Sequence, residues 1–425
     1  IIVAIAVIRE AVGNTDKSWS TIYGDVDVSQ WSNRPQRKVR LTRISAHDAG
    51  FSRVLLEDFL YGLYVRCHEA RPDAVASLAP YLTPAARRAL QAQPRGNVIA
   101  VSAVVVGGMT LRHLSMTDTT ARLTVGFEAN FTETYAAAEE RLQLGLYSRE
   151  RWILERKLTA KTRDPDQVRA FNCPSCAAPV QDDAGDACAH CGATHATGEH
   201  AWVVHSIKVE QAMPRPPGLT GYAEEVGTLS PTLVDKGLAR SERELQAHDP
   251  EFSRQDLFAR TRLIYDAMNE AWTSLLWEHA RPFTSDRFWL SMRYWINAYR
   301  DSDLHNVMEA ARITRIEMVD VELDAHYQSV TVRIFATALD YTQHSGTGAV
   351  VGGNRHTPRD YSEYWTLIRA RDCKGGSCTE RNCPNCGAPL AITMAGNCEH
   401  CSVKITAGAA DWVLSTIQQD ETYAG

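Results

Sequence analysis

A pattern of four cysteines occurs twice in this chain, and it constrains the fold more than any other feature. Both copies read C-P-x-C-x11-C-x-H-C, with the same eleven-residue spacer. Two C-x-x-C-type pairs supply four thiolates, the usual closed ligand set of a structural zinc ion. Redox pairs or a disulfide framework would explain neither the pairing nor the equal spacing. We therefore predict two structural zinc ions, held by Cys173, Cys176, Cys188, Cys191, Cys383, Cys386, Cys398 and Cys401.

Charge argues against nucleic acid as a partner of these two zinc ribbons. The chain carries a net charge of −6, and residues 171–198 of the first ribbon contain no Lys or Arg. The second ribbon has only Arg381 and Lys404 at its edges. Contact with phosphate groups requires positive charge. We therefore do not expect the ribbons to bind nucleic acid.

Three cysteines lie outside the two ribbons. Eight of the eleven cysteines belong to the ribbons, which leaves Cys67, Cys373 and Cys378. Cys373 and Cys378 lie just before the second ribbon. Three roles are open to them: additional metal ligands, a local disulfide, or thiols without a specific role. Zinc thiolates persist best where thiols stay reduced, which favours a compartment of the cytoplasmic type.

An apolar stretch at residues 1–8 opens the chain, which begins at Ile rather than Met. It is too short to cross a bilayer. We expect that the true start is missing and that these residues end a membrane anchor, although a buried strand or the end of a core helix is the alternative. Five basic residues and no acidic residue follow between Arg34 and Arg43, as is typical of the cytoplasmic side of a membrane segment. We therefore predict attachment to the inner (cytoplasmic) membrane, with the soluble part facing the cytoplasm.

A second repeat accompanies the cysteines. The pattern A-H-D-x-x-F-S-R occurs at residues 46–53 and again at residues 247–254, each time before apolar residues at helical spacing. We expect Asp48 and Asp249 to be helix N-caps, with Pro250 at the first helical position. This interpretation is favoured over a catalytic His-Asp pair, because adjacent side chains rarely face each other.

The same order of elements follows in each copy. Thr83 and Ser285 are the expected starts of a second helix. Alternating apolar and polar residues then predict half-buried strands, and earlier strands are expected at residues 98–106 and 313–323.

Tryptophan residues flank each ribbon. A strand with Trp152 or Trp365 precedes the cysteines, and a strand with Trp202 or Trp412 follows them. The distance from the first ribbon cysteine to the following tryptophan is the same in both copies. Each ribbon is therefore predicted to be the connection between the last two strands of its repeat.

The predicted fold class is α+β. Each of two repeated units has N-terminal helices packed on a curved antiparallel sheet, with a zinc ribbon inserted between its last two strands. The expected divisions are an N-terminal segment at 1–45, a first unit at 46–211 with its ribbon at 171–196, a linker at 212–246, and a second unit at 247–425 with its ribbon at 381–406.

The pattern Asp-x-x-Phe, followed late in the meander by Glu-x-Trp, resembles the Tim44-like domain. Here it comprises Phe51 with Trp152 and Phe252 with Trp365. The resemblance implies the α+β cone fold of nuclear transport factor two and ketosteroid isomerase. It also implies a membrane-associated, non-enzymatic role with an apolar pocket or groove that meets a lipid or a partner. Similar bacterial proteins combine an N-terminal membrane segment, such a domain and a zinc ribbon.

We therefore expect a non-enzymatic, membrane-tethered scaffold or adaptor that binds a protein partner, a lipid or both. Four thiolates leave a metal ion no open position for catalysis. The alternative is a small-molecule-binding or catalytic pocket of the ketosteroid-isomerase type, with Glu128, His113 and Asp340 as candidate polar residues. No polar set that recurs in both copies is evident from the sequence, which favours a structural role for these three residues.

Overall fold

The computed structural model describes residues 39–93, 97–136, 141–180, 185–214, 219, 228–420 and 423–425. The predicted anchor at residues 1–8 lies outside the described residues, as do most of the basic stretch and most of residues 215–227 of the predicted linker. Within the described part, no helix has the length and apolar character needed to cross a membrane.

The chain forms two compact units. The first unit lies within residues 37–216 and also includes residues 324–326. The second unit takes in the other residues of the range 217–425. Each unit has its own antiparallel sheet and its own helices. This arrangement confirms the predicted α+β fold class.

Four strands in the order β1-β2-β3-β4 form the sheet of the first unit. Helix α2 packs on β1. The helices of this unit are α1 (Thr42–Ser45), α2 (Arg53–Glu69), α3 (Pro84–Gln91) and α4 (Pro165–Ala170), and its strands are β1 (Val98–Met116), β2 (Thr120–Ala136), β3 (Arg141–Lys157) and β4 (Val203–Pro214), with a 3-10 helix at Val75–Tyr81.

The sheet of the second unit has the order β5-β6-β8-β9, and the short strand β7 pairs with β6. Two of its helices, α5 and α6, pack on β5. The helices of this unit are α5 (Leu238–His248), α6 (Arg254–Thr273) and α7 (Asp286–Asp301), and its strands are β5 (Leu304–Leu323), β6 (Tyr327–His344), β7 (Val350–Gly353), β8 (Arg359–Ala370) and β9 (Val413–Gln419), with 3-10 helices at Trp277–Phe283 and Ile405–Ala407.

Serine residues, not the predicted aspartates, cap the first long helix of each unit. Ser52 and Ser253 have extended backbones, and their hydroxyl groups accept hydrogen bonds from the backbone N–H three residues ahead. The prediction that Asp48 and Asp249 are N-caps is therefore wrong. Pro250 also lies before the helix, which begins at Arg254. The two carboxylates are instead bound to buried arginines, as described below.

The predicted starts of the second helices are confirmed. Thr83 accepts a hydrogen bond from the backbone N–H of Ala86, and Pro84 occupies the first turn. Ser285 accepts one from the backbone N–H of Phe288. Each hydroxyl satisfies one of the amide groups that a helix start leaves without an intrahelical partner.

A bulge at the same place in both sheets supports the internal repeat. Ala103 in β1 has φ of 51° and Ala310 in β5 has φ of 52°. The strand register shifts at both residues. Because a bulge adds twist and bends its strand, the long first strand of each sheet curves. These strands are also longer than predicted, since they run to Met116 and begin at Leu304.

The ribbons lie where the sequence places them. The first occupies the connection between the paired strands β3 and β4, and the second the connection between β8 and β9. Gly198 and Gly408 close the two connections with positive φ, and their carbonyl groups accept hydrogen bonds from Lys157 and Ala370. A Cβ atom on Gly408 would lie 2.9 Å from the Cα atom of Arg369. Glycine therefore allows the second ribbon to return close to its sheet.

Candidate metal centres and buried polar interiors

Each ribbon brings four sulfur atoms into one group. Within each group all ligand atoms lie within 4.8 Å of one another. In the first, Sγ of Cys173 is 3.9 Å from Cys191, and Cys176 is 3.8 Å from Cys188. A tetrahedron with zinc–sulfur bonds of about 2.3 Å has edges of about 3.8 Å. The first group therefore has the size that a tetrahedral metal ion requires.

The second group has matching dimensions. Sγ of Cys383 is 3.8 Å from Cys401, and Cys386 is 4.0 Å from Cys398. One cysteine of each C-x-x-C pair is buried and the other is more exposed in both groups. Both groups could hold a metal ion, and all eight cysteines predicted from the sequence belong to them.

Tight turns present the thiols inward. The residue after each second cysteine of a pair has a positive φ, between 60° and 72°: Ala177, Gly192, Gly387 and Ser402. Its backbone N–H donates to the carbonyl of the first cysteine of that pair. This turn directs neighbouring N–H groups toward the sulfur atoms, as in the bond of 3.4 Å from His400 N–H to Sγ of Cys398.

Hydrogen bonds prepare one thiol in each group for deprotonation. Backbone N–H groups of Cys191 and His190 lower the pKa of Cys188 to about 6. The side-chain amide of Asn385 and the backbone of Val403 lower the pKa of Cys401 to about 6. Because only a thiolate is a strong metal ligand, each group has a first ligand ready near neutral pH.

A buried aspartate–arginine pair joins helix and sheet in both units. Arg156 donates to Asp48 at 3.0 Å, and Arg369 donates to Asp249 at 2.5 Å. All four side chains are at most 3% exposed. Burial would raise the pKa of Asp48, but hydrogen bonds from Thr162 and the charge of Arg156 outweigh it and lower the pKa. The repeated A-H-D pattern therefore anchors the start of the helix to β3 or β8.

The same arginines also contact the tryptophans that follow the ribbons. The guanidinium carbon of Arg156 lies 5.4 Å from the ring centre of Trp202, and that of Arg369 lies 4.6 Å from Trp412. Such cation–π contacts are favourable when they are shielded from water. Helix start, central strand and ribbon exit are thus joined at one buried arginine in each unit.

The repeated Glu-x-Trp pattern also has a physical explanation. Residues two apart on a strand lie on the same face, so the tryptophan can reach the glutamate. The indole Nε1 of Trp152 donates to Glu150 at 2.8 Å, and that of Trp365 donates to Glu363 at 2.9 Å. Both pairs are almost fully buried.

The interior of the first unit holds a charged cluster around Glu150. Its carboxylate accepts hydrogen bonds from Tyr64 at 3.1 Å and Ser148 at 2.9 Å, and lies 3.1 Å from Nε2 of His68. Arg71 lies 3.4 Å from the carboxylate of Glu133. The members are buried in the first unit's interior.

The pKa values of Glu150 and His68 in this cluster are both lowered. Burial would raise the pKa of Glu150, but the charge of the adjacent His68 and hydrogen bonds from Trp152 and Ser148 lower it to about 2. Burial lowers the pKa of His68, and this outweighs the opposing charge of Glu150. At neutral pH the carboxylate is therefore ionised and the imidazole is neutral.

The glutamate in the interior of the second unit has different neighbours from Glu150. The hydroxyl groups of Tyr265 and Tyr361 lie 2.7 Å apart. Glu363 accepts from Gln419 at 3.1 Å, and burial raises its pKa. Trp272 donates to Asn306 at 2.7 Å.

Comparison with known proteins gives a partial match. The family model of the Tim44-like domain matches residues 238–377. Residues 238–377 are a Tim44-like domain. The match covers the second unit from α5 to the loop ahead of the second ribbon.

Similarity to other proteins is remote. A solved structure described as an Ntf2 like protein involved in plasmid conjugation is similar over 86% of this chain and 94% of that chain, with 8% sequence identity and a TM-score of 0.19. That overlay is too loose to support an argument. No curated protein matches the chain.

The structure does not bring the three candidate pocket residues together. His113 is exposed on β1 and Glu128 is half-buried on β2, both in the first unit. Asp340 lies in the Tim44-like domain, where Asn306 donates to it at 3.0 Å and Arg359 at 3.2 Å. The recurring polar set that sequence reasoning did not find is Glu150 with Trp152 and Glu363 with Trp365. The shared Glu-x-Trp spacing was its signal.

Proposed function

We propose that this protein is a non-enzymatic scaffold or adaptor, tethered to the inner membrane by its N-terminus, that binds a protein partner through its α+β units. We also propose that the first unit, residues 46–211, is a second copy of the Tim44-like domain, with residues 247–425 as its repeat. The observation that carries the proposal is that both interior glutamates are bound by their own chain. Because tryptophan, serine, tyrosine or glutamine donors occupy them, they serve packing.

Zinc is the proposed metal of both ribbons. Four thiolates at tetrahedral spacing are the typical structural zinc site, and a complete set of four protein ligands leaves no position for a reacting water. When bound, the ion supplies a crosslink between the two turns of each ribbon. It would therefore hold the connection between the last two strands in one conformation.

Sequence features support the tether. The apolar residues 1–8 and the basic residues up to Arg43 fit the cytoplasmic exit of a membrane anchor. The reduced thiols required by the ribbons agree with a cytoplasm-facing location.

Two measurements test this function. Cells that express the native full-length protein are fractionated, and the membrane fraction is solubilised after crosslinking so that bound proteins are purified with the chain. The proposal expects the chain in the membrane fraction, with a protein crosslinked in stoichiometric yield. A soluble chain would overturn the tether, and a chain without any crosslinked protein would overturn the adaptor role.

A second candidate function rests on the charged interior of the first unit. His68 is fully buried, yet neither of its ring nitrogens has a well-aligned hydrogen bond among the described residues. Nε and Nη2 of Arg71 are likewise without one. Buried polar atoms usually have partners, so a small polar molecule that binds there is the alternative. Thermal-shift screening of polar metabolites with the native chain and the His68→Ala variant would distinguish the two.

A further inference from the structure

A shallow cleft opens on the first unit beside the start of α2. Its volume is about 40 Å³. It lies between the first two turns of α2, the loop that follows β3, and the end of the first ribbon. All of the lining residues belong to the first unit. The metal centre and the charged interior do not share this cleft.

The polar lining of the cleft is basic. Lys161, Arg163 and His200 lie along it, with Arg156 behind them, and none of the described lining residues is acidic. Arg156 is already paired with Asp48. Lys161 and Arg163 have no carboxylate within ion-pairing distance among the described residues. The cleft therefore carries positive charge that the fold does not neutralise.

A hydrogen bond positions the guanidinium group of Arg163, and another of its N–H donors has no acceptor among the described residues. Its Nη2 donates to the hydroxyl of Tyr81 at 3.3 Å, which fixes the position of the guanidinium group. Its Nη1 is buried and has no hydrogen-bond partner among the described residues. A buried donor without a partner is energetically unfavourable. An acceptor that enters the cleft can remove this penalty.

The other wall of the cleft is apolar. Leu55, Leu56 and Phe59 of α2 line it, and Trp202 lines it from the ribbon side. Phe59 is held rigidly because its ring stacks on Phe171 at 5.5 Å. The cleft therefore combines an apolar wall with a basic rim, which suits an acidic group next to an apolar one.

The second unit fills the corresponding place with its own side chains. By the repeat offset, Arg260 stands where the first unit has Phe59, and Asp411 where it has Ala201. Arg260 lies 3.5 Å from Asp411 and donates to the carbonyl groups of Cys378 and Trp412, each at 3.2 Å. Gly376 replaces Arg163. The open basic cleft is thus a feature in which the first unit differs from its repeat.

We propose that this cleft binds an acidic side chain of a protein partner, with an apolar residue beside it. The proposal rests on the proposed adaptor function and names the chemistry that the partner presents. Charge-assisted bonds from Arg163 and Lys161 would hold the carboxylate, and the wall formed by Phe59 and Leu55 would bury the apolar neighbour. A shallow cleft of about 40 Å³ suits a side-chain group rather than a long acyl chain.

Selection with a phage-displayed library of random decapeptides tests the chemistry directly. The library is panned in parallel on the full-length native chain and on the Ala201→Asp variant, which introduces the carboxylate that the second unit carries. We expect peptides enriched on the native chain alone to contain Asp or Glu next to Leu, Ile or Phe. Enriched peptides without an acidic residue, or enrichment that is equal on both chains, would overturn the proposal.

The most enriched peptide is then labelled, and its binding is measured by fluorescence anisotropy. The double variant Lys161→Gln with Arg163→Gln should weaken binding at least about tenfold. The matched control is Lys374→Gln, since Lys374 takes the place of Lys161 in the second unit. It should leave the affinity unchanged. Equal loss in both variants would contradict a site in the first unit.

Two further controls separate this inference from the general function. Circular dichroism and metal content must be unchanged in the double variant, which excludes misfolding. Vesicles with 30 mol% phosphatidylglycerol serve as the competing probe. If vesicles bind the native chain and not the double variant, while no peptide is enriched, the cleft is a lipid site and the proposal is wrong. If the double variant still captures the crosslinked partner in full yield, the cleft proposal fails while the adaptor function stands.

Discussion

The two units share a set of buried contacts between their helices and sheets, but other side chains in their interiors differ. In both, a buried arginine joins the helix start to the sheet, and a glutamate binds the indole of a tryptophan two residues along the strand. Between these shared contacts, a basic side chain of the first unit corresponds to a neutral one at two positions, His68 to Asn269 and Arg71 to Trp272, and the small Ser148 corresponds to Tyr361. Two other positions keep their character, since Tyr64 corresponds to Tyr265 and Glu133 to Asp340.

The difference shows which parts of the repeat tolerate change. The contact of Asp48 with Arg156 recurs as that of Asp249 with Arg369 and joins the same elements in both copies. Groups that face only the interior vary, but they vary together. Where His68 and Arg71 give way to Asn269 and Trp272, the neighbouring polar groups change as well. This agrees with the high free-energy cost of a buried charge that loses its partner.

The largest expected effect is loss of one metal ion. Cys173→Ser should reduce the metal content from two ions per chain to one, as measured by mass spectrometry, and should loosen the connection between β3 and β4. Structural zinc sites contribute about 10–16 kcal/mol of apparent binding free energy. Hydrogen exchange in residues 359–370 of the second unit should not change.

Cys383→Ser is the matched variant, and it should loosen the connection between β8 and β9 instead. Loss of both ions, or general unfolding, after either substitution would contradict independent ribbons.

Next in size is the removal of the buried ion pairs. Asp48→Ala leaves Arg156 buried without its counter-charge, and breaking such a pair costs about 3–5 kcal/mol. We expect faster hydrogen exchange in α2 and β3 of the first unit. Asp249→Ala should do the same to α6 and β8 through Arg369. Because the two pairs have the same burial, the two effects should be similar in size.

Acidification is expected to change the stability of the two units by different amounts, and this effect is smaller than that of breaking a buried ion pair. The pKa of His68 is lowered, so its stabilising contribution is present above the unfolded value of 6.5 and is lost as the pH falls. The pKa of Glu150 is also lowered, so its contribution is lost between pH 4.5 and about 2. The pKa of Glu363 is raised, and its charged form opposes folding above that pKa, so acidification relieves this penalty.

The first unit should therefore loosen before the second on acidification. We expect the first unit to lose stability between pH 7 and pH 4, whereas the second unit does not. Hydrogen exchange in residues 141–157 and 359–370 measures both units in one sample. The His68→Asn variant, which copies Asn269 of the second unit, should reduce the difference. An equal response of both units would show that the interiors do not control acid stability.

The positions of the ribbons and the starts of the second helices were predictable from the sequence, because they depend on the spacing between residues along the chain. The cysteine spacer, the matched tryptophans and the hydroxyl residues at Thr83 and Ser285 predicted the ribbon positions and the second helix starts. The role of Asp48 was not predictable in this way. Its partner lies 108 residues further on, and an aspartate near a helix start satisfies the capping pattern equally well.

The buried polar clusters of the two units were not predicted from the sequence, for a related reason. Glu150 and Glu363 repeat in sequence, but their distant partners differ, since Tyr64 and His68 come from helix α2 in the first unit and Gln419 comes from strand β9 in the second. The equal interval from Trp152 to Arg156 and from Trp365 to Arg369 was a signal that could have revealed the buried arginines. The cleft could not have been found, because it depends on Phe59 and Ala201 standing where the second unit has an ion pair.

The smallest predicted effect concerns the serine caps. Ser52 and Ser253 have nearly the same backbone, with φ of −131° and −130°, and each accepts one hydrogen bond at 3.2 or 3.3 Å. Substitution of an N-cap serine by alanine costs about 1 kcal/mol. Ser52→Ala and Ser253→Ala should therefore lower the stability of their own units by equal amounts, measured by hydrogen exchange of α2 and α6. A much larger loss in one unit would show that its helix start is held less firmly by the neighbouring aspartate–arginine pair than the shared geometry implies.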